Sequence, residues 1–262
     1  MKQIYIIKIG GNVIDQEGDL YRFLADFAAV GQNKILVHGG GKIASEIGQQ
    51  MGLKPTLLDG RRVTDADTLR MVTMVYGGLV NKNIVSLLQH HGCDALGLIG
   101  ADANIVTSSR RPVQNGVDFG FVGDVVEVKS QRLLDLITLG LTPVCAPLTH
   151  DGKGQILNTN ADTIASAIAS ALAEIADVHL VYCFELNGVL ADFSNKESVI
   201  PHLNREHYLQ LKKDGIIAEG MKPKLDNAFL ALETGVKAVT ICHANRIASV
   251  LEGVKSGTSL SL

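Results

Sequence analysis

Ile4-Tyr5-Ile6-Ile7-Lys8-Ile9-Gly10-Gly11 and Ile35-Leu36-Val37-His38-Gly39-Gly40-Gly41 are two apolar strands that each end in a glycine cluster. Backbone without side chains at the end of a buried strand lets N–H groups approach an anion closely. A helical pattern follows each cluster, so the two ends together make a cradle for phosphate or carboxylate groups. Lys8 is the only charge in the first apolar run. An unpaired buried ammonium is costly, and an anionic ligand at the strand tip would remove that cost. The pattern reads as phosphate handling outside the P-loop. Gly39-Gly40-Gly41-Lys42 has neither the Ser or Thr after the lysine nor the spacing of that motif.

Working outward, strand and helix patterns alternate along the chain. Strands are expected at 3–9, 34–38, 94–99, 104–109, 122–128, 141–146, 155–158, 177–183 and 237–242. Helices are expected at 18–30, 41–51, 65–91, 130–139, 160–174, 204–213, 221–234 and 245–252. Leu20, Phe23, Leu24 and Phe27 give the first helix its spacing, and Thr64-Asp65 is a cap signal for the longest. A hairpin is expected around 55–64, a short partner strand near 189–191 and a last strand at 257–260. This alternation implies an α/β fold with a mostly parallel sheet covered by helices on both faces. Ligands of such sheets sit beyond the carboxyl ends of the strands, where both glycine clusters lie. The 262 residues suit a single domain. Pro147 and Asp151-Gly152-Lys153-Gly154 mark a seam near 145–155, between an N-lobe of about 1–150 and a C-lobe of about 151–262.

Composition narrows the function. Apolar residues make up 46% of the chain and aromatics 5%, so the core is aliphatic. The formal net charge is −3 without a long block of one sign. That argues against nucleic-acid binding driven by bulk charge and leaves room for a nucleotide site. The first strand begins almost at Met1, so no signal peptide is expected, and no apolar run reads as a membrane span. Cys93, Cys145, Cys183 and Cys242 are far apart and form no CxxC pair, as suits free thiols in a reducing cytoplasm. The eight histidines show no metal-binding spacing, and no metal site is assigned.

Three further segments could carry chemistry. In Asp59-Gly60-Arg61-Arg62-Val63-Thr64 a guanidinium suits a two-point grip on a carboxylate, although a surface turn with solvated charges is the simpler reading of the segment alone. In Asn158-Thr159-Asn160-Ala161-Asp162, Asn160 is a natural N-cap and Asp162 suits the first turn of the helix. Asn158 is one residue too early for capping and is left over as a ligand contact. Gly220-Met221-Lys222-Pro223-Lys224 puts two lysines at a helix start, where each opposes the macrodipole by roughly 0.3–1 kcal/mol. A bound anion would offset this, so Lys224 or Lys222 could face a phosphate.

In this order, KIGG at 8–11, HGGG at 38–41, RRVT at 61–64, NTNAD at 158–162 and GMKPK at 220–224 resemble the amino acid kinase family, and its acylglutamate branch best. The resemblance covers nearly the whole chain. It implies a single three-layer αβα sandwich with a mostly parallel, open central sheet, whose N-terminal lobe holds the amino acid and whose C-terminal lobe holds ATP. The implied reaction is ATP-dependent phosphorylation of the γ-carboxylate of N-acetyl-L-glutamate. N-succinyl-L-glutamate or another amino acid is the alternative acceptor, and a nucleotide or amino-acid sensor is the non-enzyme alternative. By motif, Lys8 and Lys224 would stabilise the transferring phosphoryl group, and Asp162 would hold both lysines in place. Gly11, Gly40 and Gly41 would supply N–H donors around the phosphoryl group and the acceptor, which Arg62, Asn158 and Asn160 would bind. Gly10, Glu185, Leu186, Asn187, Gly188, Ile216, Ile217 and Ala218 would meet the nucleotide, and Mg²⁺ would ride on the ATP phosphates.

Two departures stand out. Cys183-Phe184-Glu185-Leu186-Asn187-Gly188 replaces a stretch that in similar kinases carries a hydroxyl residue and then Asp; Glu185 substitutes for that Asp, and Phe184 lacks the hydroxyl. Lys222 is an extra lysine beside the expected one. The chain starts without the helix that links dimers in similar kinases that are hexameric and inhibited by arginine. A homodimer without arginine feedback is therefore expected, with no nucleic-acid or membrane partner.

Overall fold

A computed structural model describes residues 2–58, 61–114, 116–217 and 220–262. The strands are β1 (Gln3–Ile9), β2 (Lys34–His38), β3 (Leu57–Leu58), β4 (Arg61–Arg62), β5 (Ala95–Leu98), β6 (Val106–Arg110), β7 (Gly123–Val128), β8 (Thr142–Cys145), β9 (Leu148–His150), β10 (Ile156–Asn158), β11 (Asp177–Phe184), β12 (His202–Asn204), β13 (Ala238–His243) and β14 (Thr258–Ser261). The helices are α1 (Gly11–Ile14), α2 (Glu17–Ala29), α3 (Gly41–Gln50), α4 (Ala66–Val72), α5 (Asn81–His90), α6 (Ser130–Thr138), α7 (Ala161–Ala173), α8 (Arg205–Lys213), α9 (Lys222–Glu233) and α10 (Ile247–Leu251).

The two apolar runs sit side by side in an eight-stranded sheet ordered β12-β14-β13-β11-β1-β2-β8-β5. β1 is parallel to both β11 and β2, and β13, β8 and β5 continue the parallel pairing outward. The chain's tail returns as expected, and β14 runs antiparallel to β13. Period-two alternation along β1 sorts its side chains. Ile4 and Ile6 pack with Ile164, Ile168 and Phe229 of α7 and α9, whereas Tyr5, Ile7 and Ile9 pack with Phe23, Leu24 and Ile84 of α2 and α5. Helices thus cover both faces of the sheet, which makes the three layers. Lys8 has the parity of Ile4 and Ile6, so it emerges on the α7 and α9 face.

The segments expected as strands at 104–109 and 122–128 do not join this sheet. With β9 and β10 they form a second, four-stranded sheet ordered β10-β9-β6-β7. Their exposure explains the difference. β6 and β7 each carry solvent-facing residues, with Val126 69% exposed, whereas β1 and β2 are buried almost throughout. Strands with one wet face suit a sheet covered on one side, and this sheet is mixed: β10–β9 and β6–β7 are antiparallel and β6–β9 is parallel. β3 and β4 form the expected hairpin, whose Asp59 and Gly60 lie outside the described residues. No strand forms at 189–191; Leu190 makes a single bridge to Val199.

The long helix expected at 65–91 is continuous from Ala66 to His90, but its middle, Thr73–Val80, is π-helical and joins α4 to α5. This segment is long and apolar enough to cross a membrane by length and composition, which corrects the expectation that no such run exists. Here Met71, Val72, Tyr76, Ile84 and Leu88 on it pack into the core. Cys183 and Cys242, far apart in sequence, are neighbours across β11 and β13 with sulfurs 3.8 Å apart. All four cysteines are free and buried.

Candidate active site

The carboxyl ends of β1, β2 and β11 open on a cleft of about 810 Å³. α1, α3, α7 and α9 begin at its wall, where Gly11, Gly41, Ala161 and Lys224 line it. Helix N-termini bring unpaired N–H groups and partial positive charge. Lys8, Lys42, Arg62, Arg111, Lys196 and Lys224 line the same cleft, against Asp15 and Glu185. In a chain of net charge −3, this local excess of cations marks an anion site.

At its centre Lys8 Nζ lies 2.7 Å from Asp162 Oδ1, and Lys224 Nζ lies 3.1 Å from Asp162 Oδ2. The Lys8 and Asp162 side chains are each 8% exposed and that of Lys224 is 24% exposed. Burial pushes the Asp162 carboxyl up, but the charges and hydrogen bonds of Lys8 and Lys224 outweigh it and hold the group below the usual carboxylate range. Asp162 is placed by the α7 cap. The side-chain oxygen of Asn160 accepts from the N–H groups of Asp162 and Thr163 at 2.8 and 3.1 Å. Tyr182, opposite Lys8 on β11, donates to the Asp162 carbonyl at 3.3 Å. The buried ammonium of Lys8 is therefore balanced by this chain's own carboxylate rather than left for a ligand. One carboxylate between two lysines still leaves the trio net positive. Lys222 does not line the cleft; its carbonyl accepts from Tyr208 at 3.4 Å.

The glycine clusters differ in purpose. Gly40 has φ +135°, a region that favours glycine, and a Cβ there would lie 3.4 Å from Tyr76 and Val80. At Gly11 and Gly41 a Cβ would meet no protein atom within 4 Å, and both line the cleft. Gly10 donates to the Cys183 carbonyl at 2.8 Å, which ties β1 to β11 at the cleft floor. His38 anchors the second cluster from beneath. Asn81 Nδ2 donates to His38 Nε2 at 3.0 Å and to the Val144 carbonyl at 2.9 Å, so His38 carries its proton on Nδ1 and donates to the Gly39 carbonyl at 2.8 Å. Burial pushes the imidazole down to about 4; the Gly39 bond opposes this, and the charges of Lys82 and Lys8 add to it.

One end of the cleft is built by the β3–β4 hairpin and the small sheet. Arg62 is buried and donates from Nη2 to the Gly41 carbonyl at 2.9 Å and to Ser45 Oγ at 2.7 Å. Its Nη1 is buried with no hydrogen-bond partner among the described residues. Burial pushes the neighbouring Tyr76 phenol up, and the charge of Arg62 draws it back. Asn158 donates from Nδ2 to Thr64 Oγ1 at 3.0 Å, and Thr64 Oγ1 donates to the Arg62 carbonyl at 3.0 Å. The backbone locks these parts together: Phe121 N–H reaches the Thr64 carbonyl at 2.7 Å, and Asn158 N–H reaches the Phe121 carbonyl at 2.9 Å.

At the other end, Glu185 and Leu186 line the cleft, and Asn12 Nδ2 donates to Glu185 Oε1 at 2.8 Å. Leu186, Ile216, Ile217 and Met221 line a small apolar recess beside the cleft. Two expected nucleotide residues fall elsewhere, because Asn187 and Gly188 line neither space. Gly188 answers to β14 instead: a Cβ there would sit 2.7 Å from Thr258 Oγ1, which accepts from Val189 N–H at 2.8 Å. Ala218 lies outside the described residues. Several lining residues were not expected, among them Asp15, Lys42, Tyr76 and Arg111. Lys42 directly follows the second glycine cluster, and the Arg110-Arg111 pair before Pro112 was visible too, but sequence spacing ties that pair to nothing else in the site.

Charge, helix ends and glycine N–H groups at the carboxyl edge of a three-layer sheet describe a protein that handles anionic small molecules. Residues 3–243 match the model of the amino acid kinase family, and the chain belongs to that family. Within it, the chain is 56% identical to an acetylglutamate kinase of Cytophaga hutchinsonii over 99% of each chain. It is 53% identical to an acetylglutamate kinase of Bacteroides thetaiotaomicron over 94% of this chain and 95% of that one. Among solved structures, N-acetylglutamate synthase from Neisseria gonorrhoeae complexed with coenzyme A and N-acetyl-glutamate shares the fold, with a TM-score of 0.84 at 21% identity over 99% of this chain and 59% of that chain.

Proposed function

We propose that this chain transfers the γ-phosphoryl group of ATP to the γ-carboxylate of N-acetyl-L-glutamate. The full-length likeness to acetylglutamate kinases supports the reaction. The observation that carries the mechanism is the trio in which buried Asp162 holds Lys8 and Lys224 at 2.7 and 3.1 Å. The acceptor carboxylate is already a nucleophile, so no general base is needed. Its oxygen forms the new bond to the γ-phosphorus while the bond to the bridging oxygen breaks and ADP leaves. What the protein must supply is alignment and neutralisation of charge on the phosphoryl oxygens. Lys8 and Lys224, fixed by Asp162, supply the charge, and the N–H groups of Gly11 and Gly41 supply donors. Arg62 and Asn158 hold the α-carboxylate of the acceptor, and ATP extends past Glu185 toward the recess lined by Leu186 and Ile217.

Mg²⁺ carried on the ATP phosphates would neutralise part of their charge, beside what Lys8 and Lys224 supply. The acceptor occupies the N-terminal lobe and the nucleotide the C-terminal lobe, and the active assembly is a homodimer, which light scattering tests. The reaction itself is tested by ATP turnover with Mg²⁺ and N-acetyl-L-glutamate, N-succinyl-L-glutamate or L-aspartate, trapping the acyl phosphate as its hydroxamate. Hydroxamate from N-acetyl-L-glutamate is the expected result. Product only from another acceptor, or ATP binding without turnover, would overturn the proposal.

A further inference from the structure

We propose that Arg111 is a specificity residue that donates from Nη1 to an oxygen of the acceptor's N-acyl group. The inference rests on the reading of the cleft as an acylglutamate kinase site and extends it to the third arm of the substrate. An N-acylated glutamate carries oxygen on three arms: the γ-carboxylate, the α-carboxylate and the acyl group. Lys8 and Lys224 answer the first, and Arg62 with Asn158 the second.

Arg111 follows β6 directly and lines the cleft with its side chain 9% exposed. Its Nε donates to both oxygens of Asp124 at 3.1 Å, and its Nη2 donates to Asp124 Oδ1 as well. The Phe119 ring lies 5.5 Å away under the guanidinium. Fork and charge are therefore locked by one carboxylate and one ring. Nη1 is left over, buried, with no hydrogen-bond partner among the described residues. Leaving a buried donor unpaired is destabilising, so such a group is the place to look for a ligand atom.

Position points the same way. Arg111 N–H reaches the Val122 carbonyl at 2.8 Å, and Val122 bridges to Asn158. Arg111 thus hangs on the same run of backbone as Asn158 and, through Phe121 and Thr64, Arg62. Charge separates the roles of the two arginines. Arg62 donates to a carbonyl and a hydroxyl and makes no ion pair among the described residues, so its charge is available to a carboxylate. The charge of Arg111 is matched by Asp124, so what it offers is one directional donor. That suits the amide carbonyl oxygen common to all N-acyl groups, or an oxygen farther along a longer acyl chain.

Arg111→Lys keeps a cation for Asp124 and removes the fork; Arg111→Met removes both. With each, kcat and KM are measured for N-acetyl-L-glutamate, N-succinyl-L-glutamate and ATP, with circular dichroism as the fold check. Loss of a hydrogen bond from a charged group predicts a rise in acceptor KM of about 10- to 100-fold in Arg111→Lys, with kcat and the KM for ATP within about 3-fold of wild type. An equal rise for both acceptors assigns the bond to the amide carbonyl, and a larger rise for the succinyl acceptor assigns it to the distal oxygen. An unchanged acceptor KM in a folded Arg111→Lys variant overturns the inference and leaves the proposed function standing, as does a kcat that falls while the KM for acceptor stays put. If the wild-type protein phosphorylates neither acceptor, both readings fall together.

Discussion

Replacing Asp162 by asparagine removes one negative charge with almost no change in volume, and leaves Lys8 and Lys224 facing each other with no negative charge between them. At 8% exposure Lys8 cannot be rescued by water, whereas Lys224, at 24%, can move toward solvent. Removing one partner of a buried ion pair destabilises by about 3–5 kcal/mol. For a domain of this size each kcal/mol lowers the melting temperature by roughly 2–4 °C, so Asp162→Asn should melt about 6–20 °C below wild type. The helix cap is untouched, because Asn160 accepts from the backbone N–H of Asp162 and not from its side chain. The decisive comparison is the Lys8→Met, Asp162→Asn double variant. It removes both deeply buried charges, so it should be more stable than the sum of the single variants predicts by about 2–3 kcal/mol, and it should remain inactive. Urea unfolding of the four proteins at pH 7, followed by circular dichroism, measures the coupling. Single effects that add within about 0.5 kcal/mol would refute the claim that the pair is a mutually dependent unit.

Other consequences can be checked separately. His38 is neutral in the fold with its pKa pushed down to about 4, against about 6.5 when unfolded, so the unfolded chain takes up a proton first as pH falls. Its stabilising contribution is complete above pH 6.5 and declines toward pH 4, with about 2 kcal/mol lost between pH 7 and 5. His38→Gln should lack this slope in urea titrations at the two pH values, and an unchanged slope contradicts the assignment. The Asp162 contribution has the opposite cause and a lower window: its carboxyl is held below the ordinary range, so that stability is present above the unfolded carboxylate pKa and is lost only in stronger acid. Gly40→Ala forces a Cβ onto a backbone at φ +135° against Tyr76 and should destabilise by roughly 1–3 kcal/mol, whereas Gly11→Ala should leave thermal stability nearly unchanged and reduce turnover. Equal melting temperatures for Gly40→Ala and wild type would contradict the first half, and wild-type turnover in Gly11→Ala the second.

The central sheet was legible because β1, β2 and β11 are buried almost throughout, and short uninterrupted apolar runs bounded by turn residues read as buried strands. The small sheet was not. β9 and β10 are three residues each, and β6 and β7 read as further members of the central sheet until their wet face is seen. The π-helical turn within Ala66–His90 left no mark on the apolar spacing, although it carries Tyr76 to the wall of the cleft beside Arg62. Local patterns found the Asn160 cap, since a cap is decided by its immediate neighbours, whereas the positive φ of Gly40 emerged only in the fold. Lys8, Asp162 and Lys224 were each visible, but their meeting joins three segments, and the family resemblance, not spacing, pointed to it. Arg111 escaped because its meaning lies in Asp124 and an unpaired nitrogen, which only the folded chain brings together. Gly188 was expected at the nucleotide from the resemblance; in the fold it lines neither the cleft nor the recess, and a Cβ there would crowd Thr258.

The most direct test of the account is the rate of acyl phosphate formation from ATP·Mg²⁺ and N-acetyl-L-glutamate in wild type, Lys8→Ala and Lys224→Ala, with ATP binding measured on the same samples. Two cations aimed at the transferring group predict that kcat falls by about 10²–10³ in each variant while nucleotide is still bound. Near-wild-type kcat in both would contradict the mechanism, whatever acceptor the enzyme prefers.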